Sequence, residues 1–188
     1  GRVNNLKGQV SYGGITLGEA RDVQLDSKYS EMKFEKARSV RITSKYDDFS
    51  LGNLSELRLL TKYANVRVNS ANMAMITAQY TDVKLNNIGQ SLDADLEYGS
   101  LKIGSLARNF TTVNVMAKYT DVNVLVEEGA SFRFEAEGTH SGVKFPAGAS
   151  ISRRDESNSR IVVQGYVGDS NAKSTIRTKL NYGGITMK

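Results

Sequence analysis

The side chains that most often carry out chemistry are scarce here. The 188 residues include one histidine, His140, and no cysteine. That excludes a Cys-His pair and a multi-histidine zinc site, and a Ser-His-Asp triad would have to use His140. No Walker loop, dinucleotide fingerprint or EF-hand loop occurs, and the Gly-Gly pairs at 13–14 and 183–184 do not lead into helices. Carboxylates are plentiful, and Glu31, Asp48, Asp82 and Asp121 each fall two residues after a tyrosine. Paired acids at a suitable separation could hydrolyse a glycosidic bond. Asn65, Ser100, Gly142 and Gly184 fill the same place in other copies, however, which favours a corner that selects turn-forming residues. Cations recur too. Lys28, Lys45, Lys62 and Lys118 precede tyrosines, while Lys33, Arg67, Lys84, Lys102 and Lys144 each stand in the fourth place after a ring. Two outward basic columns follow. They could hold an anionic polymer, or simply keep a flat sheet soluble and discourage edge pairing.

The elements that position these residues come from a repeat. Eight of the nine tyrosines open the phrase Tyr-x-x-apolar-x-apolar: YGGITL at Tyr12, YSEMKF at Tyr29, YDDFSL at Tyr46, YANVRV at Tyr63, YTDVKL at Tyr80, YGSLKI at Tyr98, YTDVNV at Tyr119 and YGGITM at Tyr182. HSGVKF puts His140 in the tyrosine place, as a substitute for the ring rather than a catalytic base. Successive spacings are 17, 17, 17, 17, 18, 21, 21 and 42 residues, and the last leaves room for one degenerate unit. Fixed-period self-similarity of this kind marks a solenoid. Apolar residues six and four places before the ring (Val23 and Leu25, Val40 and Ile42, Leu57 and Leu59, Val113 and Val115) alternate with polar ones, which is strand periodicity. After the ring the phase slips by one (Phe49 and Leu51, Val66 and Val68, Val83 and Leu85), so each unit reads as two short strands joined at a corner.

A two-residue hairpin tip needs positive φ at both central residues, and Ser30-Glu31, Ala64-Asn65 and Thr81-Asp82 supply it poorly. The pattern therefore predicts an all-β fold, a parallel β-solenoid (β-helix) of about ten coils with a 17–21 residue period. Stacking at roughly 4.8 Å per coil gives a rod about 45 Å long. The tyrosines share the parity of Val40, Ile42 and Ser44, which predicts an inward column of stacked rings at the corner.

The chain reads as a single domain, 1–188, with an irregular loop-bearing coil at 146–175. That stretch holds the only proline, Pro146, the polar run 151–159, a short strand around Ile161 and Val163, and a glycine-rich turn at 165–168. Extra residues at 106–112 and 125–132 widen the later coils on one edge. The near-identical phrases at Tyr12 and Tyr182 suggest open edges at both ends of the rod and hence end-to-end self-association. A net charge of +5 is spread diffusely, which points away from nucleic acid. No apolar run approaches the ~20 residues of a membrane-spanning helix.

The phrases YGGITL, YTDVKL and YTDVNV, with the ending TIRTKLNYGGITM, resemble the adhesin-like β-solenoid domains of unknown function common in Bacteroidetes envelope proteins. The resemblance implies a secreted or envelope-anchored module, periplasmic or on the surface. The chain opens at Gly1-Arg2-Val3 without a methionine, in keeping with a removed signal segment. The expectation is a non-catalytic adhesin-like, surface-binding or scaffolding protein, with no cofactor and no metal. Its binding residues would be Lys28, Lys45, Lys62, Lys33, Arg67, Lys84 and Lys102, and its partner an anionic glycan or envelope polymer. The alternative is a polysaccharide-active β-helix enzyme using corner carboxylates with Arg153, Arg154 or Asp155 of the irregular stretch.

Overall fold

A computed structural model describes residues 2–188. These residues contain no helix and form one sheet, built from β1 (Arg2–Ser11), β2 (Gly14–Lys28), β3 (Glu31–Lys45), β4 (Asp48–Lys62), β5 (Asn65–Leu106), β6 (Thr112–Val126), β7 (Phe132–Lys144), β8 (Ser150–Glu156), β9 (Arg160–Val167) and β10 (Thr175–Met187). Parallel pairing from β1 through β6, β10 and β7 makes a β-solenoid of about seven turns. The expected ten coils were too many, because 146–174 adds no coil and the end coils are incomplete.

The coil from Asp47 to Tyr63 shows how the chain closes on itself. Asp47, Phe49, Leu51, Leu54, Leu57, Leu59 and Thr61 point inward and are buried. Between them, pairs of successive residues face outward at Gly52-Asn53, Ser55-Glu56 and Lys62-Tyr63. Two outward residues in a row break the period-two alternation, so each such pair is a corner. The coil therefore has two long sides and a short third side held by Leu54, where the alternation alone suggested one corner. Ala20, Ala37, Ala71 and Ile88 fill the Leu54 place in neighbouring coils and are all buried. A coil this thin has no core of its own; its seven inward residues pack on those of the coils above and below.

The tyrosine corner works by an uncommon device. Tyr12, Tyr29, Tyr46, Tyr63, Tyr80, Tyr98, Tyr119, His140 and Tyr182 all have φ between 49° and 61°, and they are the only non-glycine residues with positive φ among those described. One left-handed residue turns the chain while keeping the ladder intact: Tyr46 N–H donates to the Lys62 carbonyl at 2.9 Å, and Asp48 N–H donates to the Ser30 carbonyl at 3.1 Å. It also inverts side-chain parity. The rings therefore point outward, half-exposed, and not inward as the alternation predicts. The residue after the ring becomes the inward one. At that place Ser30, Thr81 and Thr120 donate their hydroxyls to the carbonyl two residues back, at 2.8, 2.8 and 2.9 Å.

The left-handed conformation costs about 1–2 kcal/mol per residue. Stacking offsets it. Consecutive rings from Tyr12 to Tyr119 lie 4.8–5.1 Å apart between centroids and within 9° of parallel. Aromatic pairs of this kind contribute about 0.5–1.5 kcal/mol each beyond burial.

The ladder also reveals the order of the stack. Tyr119 stacks on Tyr182 at 5.0 Å, and Tyr182 stacks on His140 at 4.9 Å. His140 is thus a ring substitute at the end of the column. β10 lies between β6 and β7, parallel to both, although it follows β7 in sequence. The YGGITM phrase is therefore enclosed and is no open end; of the two expected edges, only the one carrying YGGITL at Tyr12 has a neighbour on a single side. The far end of the sheet is the antiparallel pair β9 and β8. Most of the polar run 151–159, expected as loop, is the edge strand β8, whose Arg153, Arg154, Asp155 and Glu156 blunt that edge with charge. The short strand around Ile161 and Val163 is β9 as expected.

Candidate binding face

The two basic columns sit on different sides of the coil and differ in their surroundings. On the side after the tyrosine, Glu31, Asp48 and Asn65 are register partners in successive coils, as are Lys33, Ser50 and Arg67. Acids and bases are therefore two residues apart on one flat face. Lys33 Nζ pairs with Glu31 at 2.8 Å, Asn65 Nδ2 donates to Asp48 at 2.8 Å, and Ser100 Oγ donates to Asp82 at 2.6 Å. Lys84 and Lys102 lie on the same face two residues beyond Asp82 and Ser100. The corner acids form the expected column, but they are exposed; Asp48 and Asp82 accept from the next coil, and Glu31 pairs with Lys33 in its own strand.

The side before the tyrosine is different. Lys28, Lys45 and Lys62 are in register, followed by Gln79. Four residues earlier in each coil, Gln24, Arg41, Arg58 and Met75 are in register, with Asp26, Thr43, Leu60 and Thr77 between the two rows. Among the described residues no carboxylate pairs with Lys28, Arg41, Lys45, Arg58 or Lys62. These five cations occupy a rigid rectangle about 10 Å along the stack and 13 Å across it. The ring ladder borders it, and Lys45 Nζ lies 5.5 Å from the Tyr46 ring centroid.

The rectangle has a sharp boundary. Two coils further on, the same outward places hold Asp93, Asp95 and Glu97, whose partners are Asn114, Met116 and Lys118. Lys118 belongs to this boundary and not to the patch: its Nζ donates to Glu97 at 2.9 Å, which holds the ammonium above its ordinary pKa. Arg41 and Arg58 do not emerge from the tyrosine phrases, which align only the lysines beside the rings. Their signal is nevertheless present, since both lie five residues before a tyrosine and 17 residues apart.

Two recesses bring a pair of carboxylates together, Asp155 with Glu156 in one and Glu135 with Glu137 in the other, and neither pair comes from the corner column. A third recess, of about 220 Å³ between β7, β9 and β10, contains one acid, Glu135, which accepts from Gln164 Nε2 at 2.9 Å. The recess of Asp155 and Glu156 is about 170 Å³. Asp155 pairs with Arg153 and Glu156 with Arg154 along the same strand. The carboxyl whose pKa is pushed up is Asp47, through burial, opposed by hydrogen bonds from Ser27 Oγ and the Ser30 N–H. It faces the interior, out of reach of a polymer.

The chain matches no known family model, no curated protein and no solved structure.

Proposed function

We propose that this chain is a non-catalytic, adhesin-like module of the cell envelope that holds an anionic envelope polymer against the face formed by Lys28, Lys45, Lys62, Arg41 and Arg58. The observation that carries the reading is that five cations stand in register on that face with no carboxylate partner among the described residues, Asp26 being the single acid between their rows. The opposite face interleaves Lys33, Arg67, Lys84 and Lys102 with the corner acids Glu31, Asp48 and Asp82, and Lys33 is paired with Glu31, so it makes a poorer polyanion site. Envelope placement rests on the resemblance of the YGGITL-type phrases. The polymer class follows from shape: a flat face with cations every ~4.8 Å fits an extended acidic glycan and encloses no small ligand.

The test is binding of a soluble acidic polysaccharide to the folded protein by isothermal titration at several salt concentrations. Replacing Lys28, Lys45 and Lys62 together by Glu should weaken binding between about tenfold and a hundredfold, as three exposed pairs at up to ~1 kcal/mol each are lost. Replacing Lys33, Lys84 and Lys102 should change it about threefold at most. Equal losses from both triple variants, or no loss from the first, would overturn the assignment.

A further inference from the structure

The position of β10 has a structural alternative. β6 and β7 contact opposite edges of β10 with the same offset throughout: Thr175 partners both Thr112 and Arg133, Ile176 both Val113 and Phe134, and Thr186 both Asn123 and Lys144. With β10 removed, β7 could close onto β6 without changing register, and His140 would meet Tyr119. The strand has no covalent tie to its neighbours, since the chain has no cysteine. Its tether, residues 168–174, leaves β9 at Gly168 (φ 72°) and turns at Asp169–Ala172.

β10 also packs with a defect. Four of its apolar residues, Ile176, Leu180, Ile185 and Met187, are buried, but Thr178 occupies an inward place held by apolar residues in other coils, Ile42, Leu59, Ile76, Ala94, Val115 and Ala136. Thr178 Oγ1 is the one buried side-chain polar atom without a hydrogen-bond partner among the described residues. An unsatisfied hydroxyl weakens the seating of this strand.

We infer that β10 is an exchangeable strand, and that the slot between β6 and β7 accepts the β10 of a second copy, joining chains by reciprocal or serial strand donation. The partner is a second copy because the slot already fits this strand in register and parity at every position. A tether spanning up to ~24 Å when extended is long enough to reach an adjacent molecule. A swap preserves every contact of the closed form, so its cost lies in opening and in association. This assembly is independent of the polymer site, which lies in the Tyr29, Tyr46 and Tyr63 coils.

A cysteine-free chain makes the test direct. Met116 and Lys179 are register partners, both exposed. Copies carrying Met116→Cys are mixed with copies carrying Lys179→Cys, incubated, oxidised and separated under denaturing conditions; a chain with both substitutions verifies that the pair can close. The expected result is heterodimer from the mixture. A control of Asp95→Cys with Lys179→Cys, one coil out of place because Asp95 partners Met116, should give less than about a tenth as much. Thr178→Val in the donor should slow heterodimer formation roughly fivefold by seating the strand more firmly. No heterodimer while the double variant closes within one chain, or equal yield from the control, overturns the proposal.

Discussion

Asp47 sits inside the solenoid among coils whose equivalent residues are uncharged: Ser30, Ala64, Thr81 and Thr120. Asp47→Asn removes the charge and keeps the geometry, since the amide oxygen can accept from the Ser30 N–H, now 2.7 Å from the carboxylate, and the amide nitrogen can donate to Ser27 Oγ. Burial holds the carboxyl of the folded protein above its ordinary pKa. The folded protein therefore binds a proton more tightly than the unfolded chain. The contribution of this group to stability is full below the unfolded pKa and is lost as pH rises through the folded one. The two hydrogen bonds offset much of the cost of burying the charge, which leaves a net penalty on the order of 1–2 kcal/mol at neutral pH. Urea unfolding followed by far-UV circular dichroism, at intervals from pH 3 to 7.5, gives the stability of both proteins. The Asn variant should gain on the parent steadily with pH and level off near neutrality, ahead by that same margin of about 1–2 kcal/mol. A difference that is constant with pH, or that narrows as pH rises, would refute the argument that burial dominates at Asp47.

Other consequences of the fold can be checked by the same unfolding measurement. Tyr63→Ala loses ring contacts on both sides yet keeps a left-handed non-glycine residue, so it should cost about 2–3 kcal/mol, whereas Tyr63→Gly, relieved of the backbone strain, should cost about 1 kcal/mol less than Ala. Thr178→Val should stabilise the protein by about 1 kcal/mol, because it replaces an unpartnered hydroxyl by a methyl. At Gly99 an added Cβ would come 2.0 Å from the Thr81 carbonyl oxygen, so Gly99→Ala should destabilise by more than about 2 kcal/mol unless the corner moves. Polysaccharide binding at the cationic rectangle should fall steeply from about 0.05 to 0.5 M salt, in titrations at fixed pH, because the exposed charges lie within a Debye length of solvent ions.

Much of the architecture could be read from residue order because strand periodicity is simple. Val40 with Ile42, Leu57 with Leu59, and Phe49 with Leu51 announced two inward pairs per unit and are all buried. The facing of the tyrosines was not legible. A single left-handed residue reverses parity, and here tyrosine occupies that conformation where glycine or asparagine would be the usual signal. The third corner was hidden because it rests on one residue per coil, often a small one such as Ala37 or Ala71. The place of β10 was hidden for another reason: coils of like pattern can stack in any order, and a repeat phrase carries no record of which neighbour it meets. The charge distribution was half legible. Lys28, Lys45 and Lys62 were aligned by their phrase, but the register was needed to set Arg41 and Arg58 beside them and to show Asp26 as the single acid between the two rows.

The corners are not equally tolerant of length. Coils longer than 17 residues take their extra residues around Gly89–Ser91, Ala107–Thr111 and Glu127–Ser131, always by the short third side and never by the rings. The first long loop is even given an inward anchor, Phe110, whose ring lies 5.9 Å from that of Phe132 at the start of β7. One edge of the solenoid is therefore a graduated rule and the other an adjustable one. A residue gained or lost beside a tyrosine would pull a ring out of line with two neighbours at once. The same change on the far edge only lengthens a loop. Variation in sequence, and any grafted segment, has a single side of this molecule on which it can accumulate without disturbing the count.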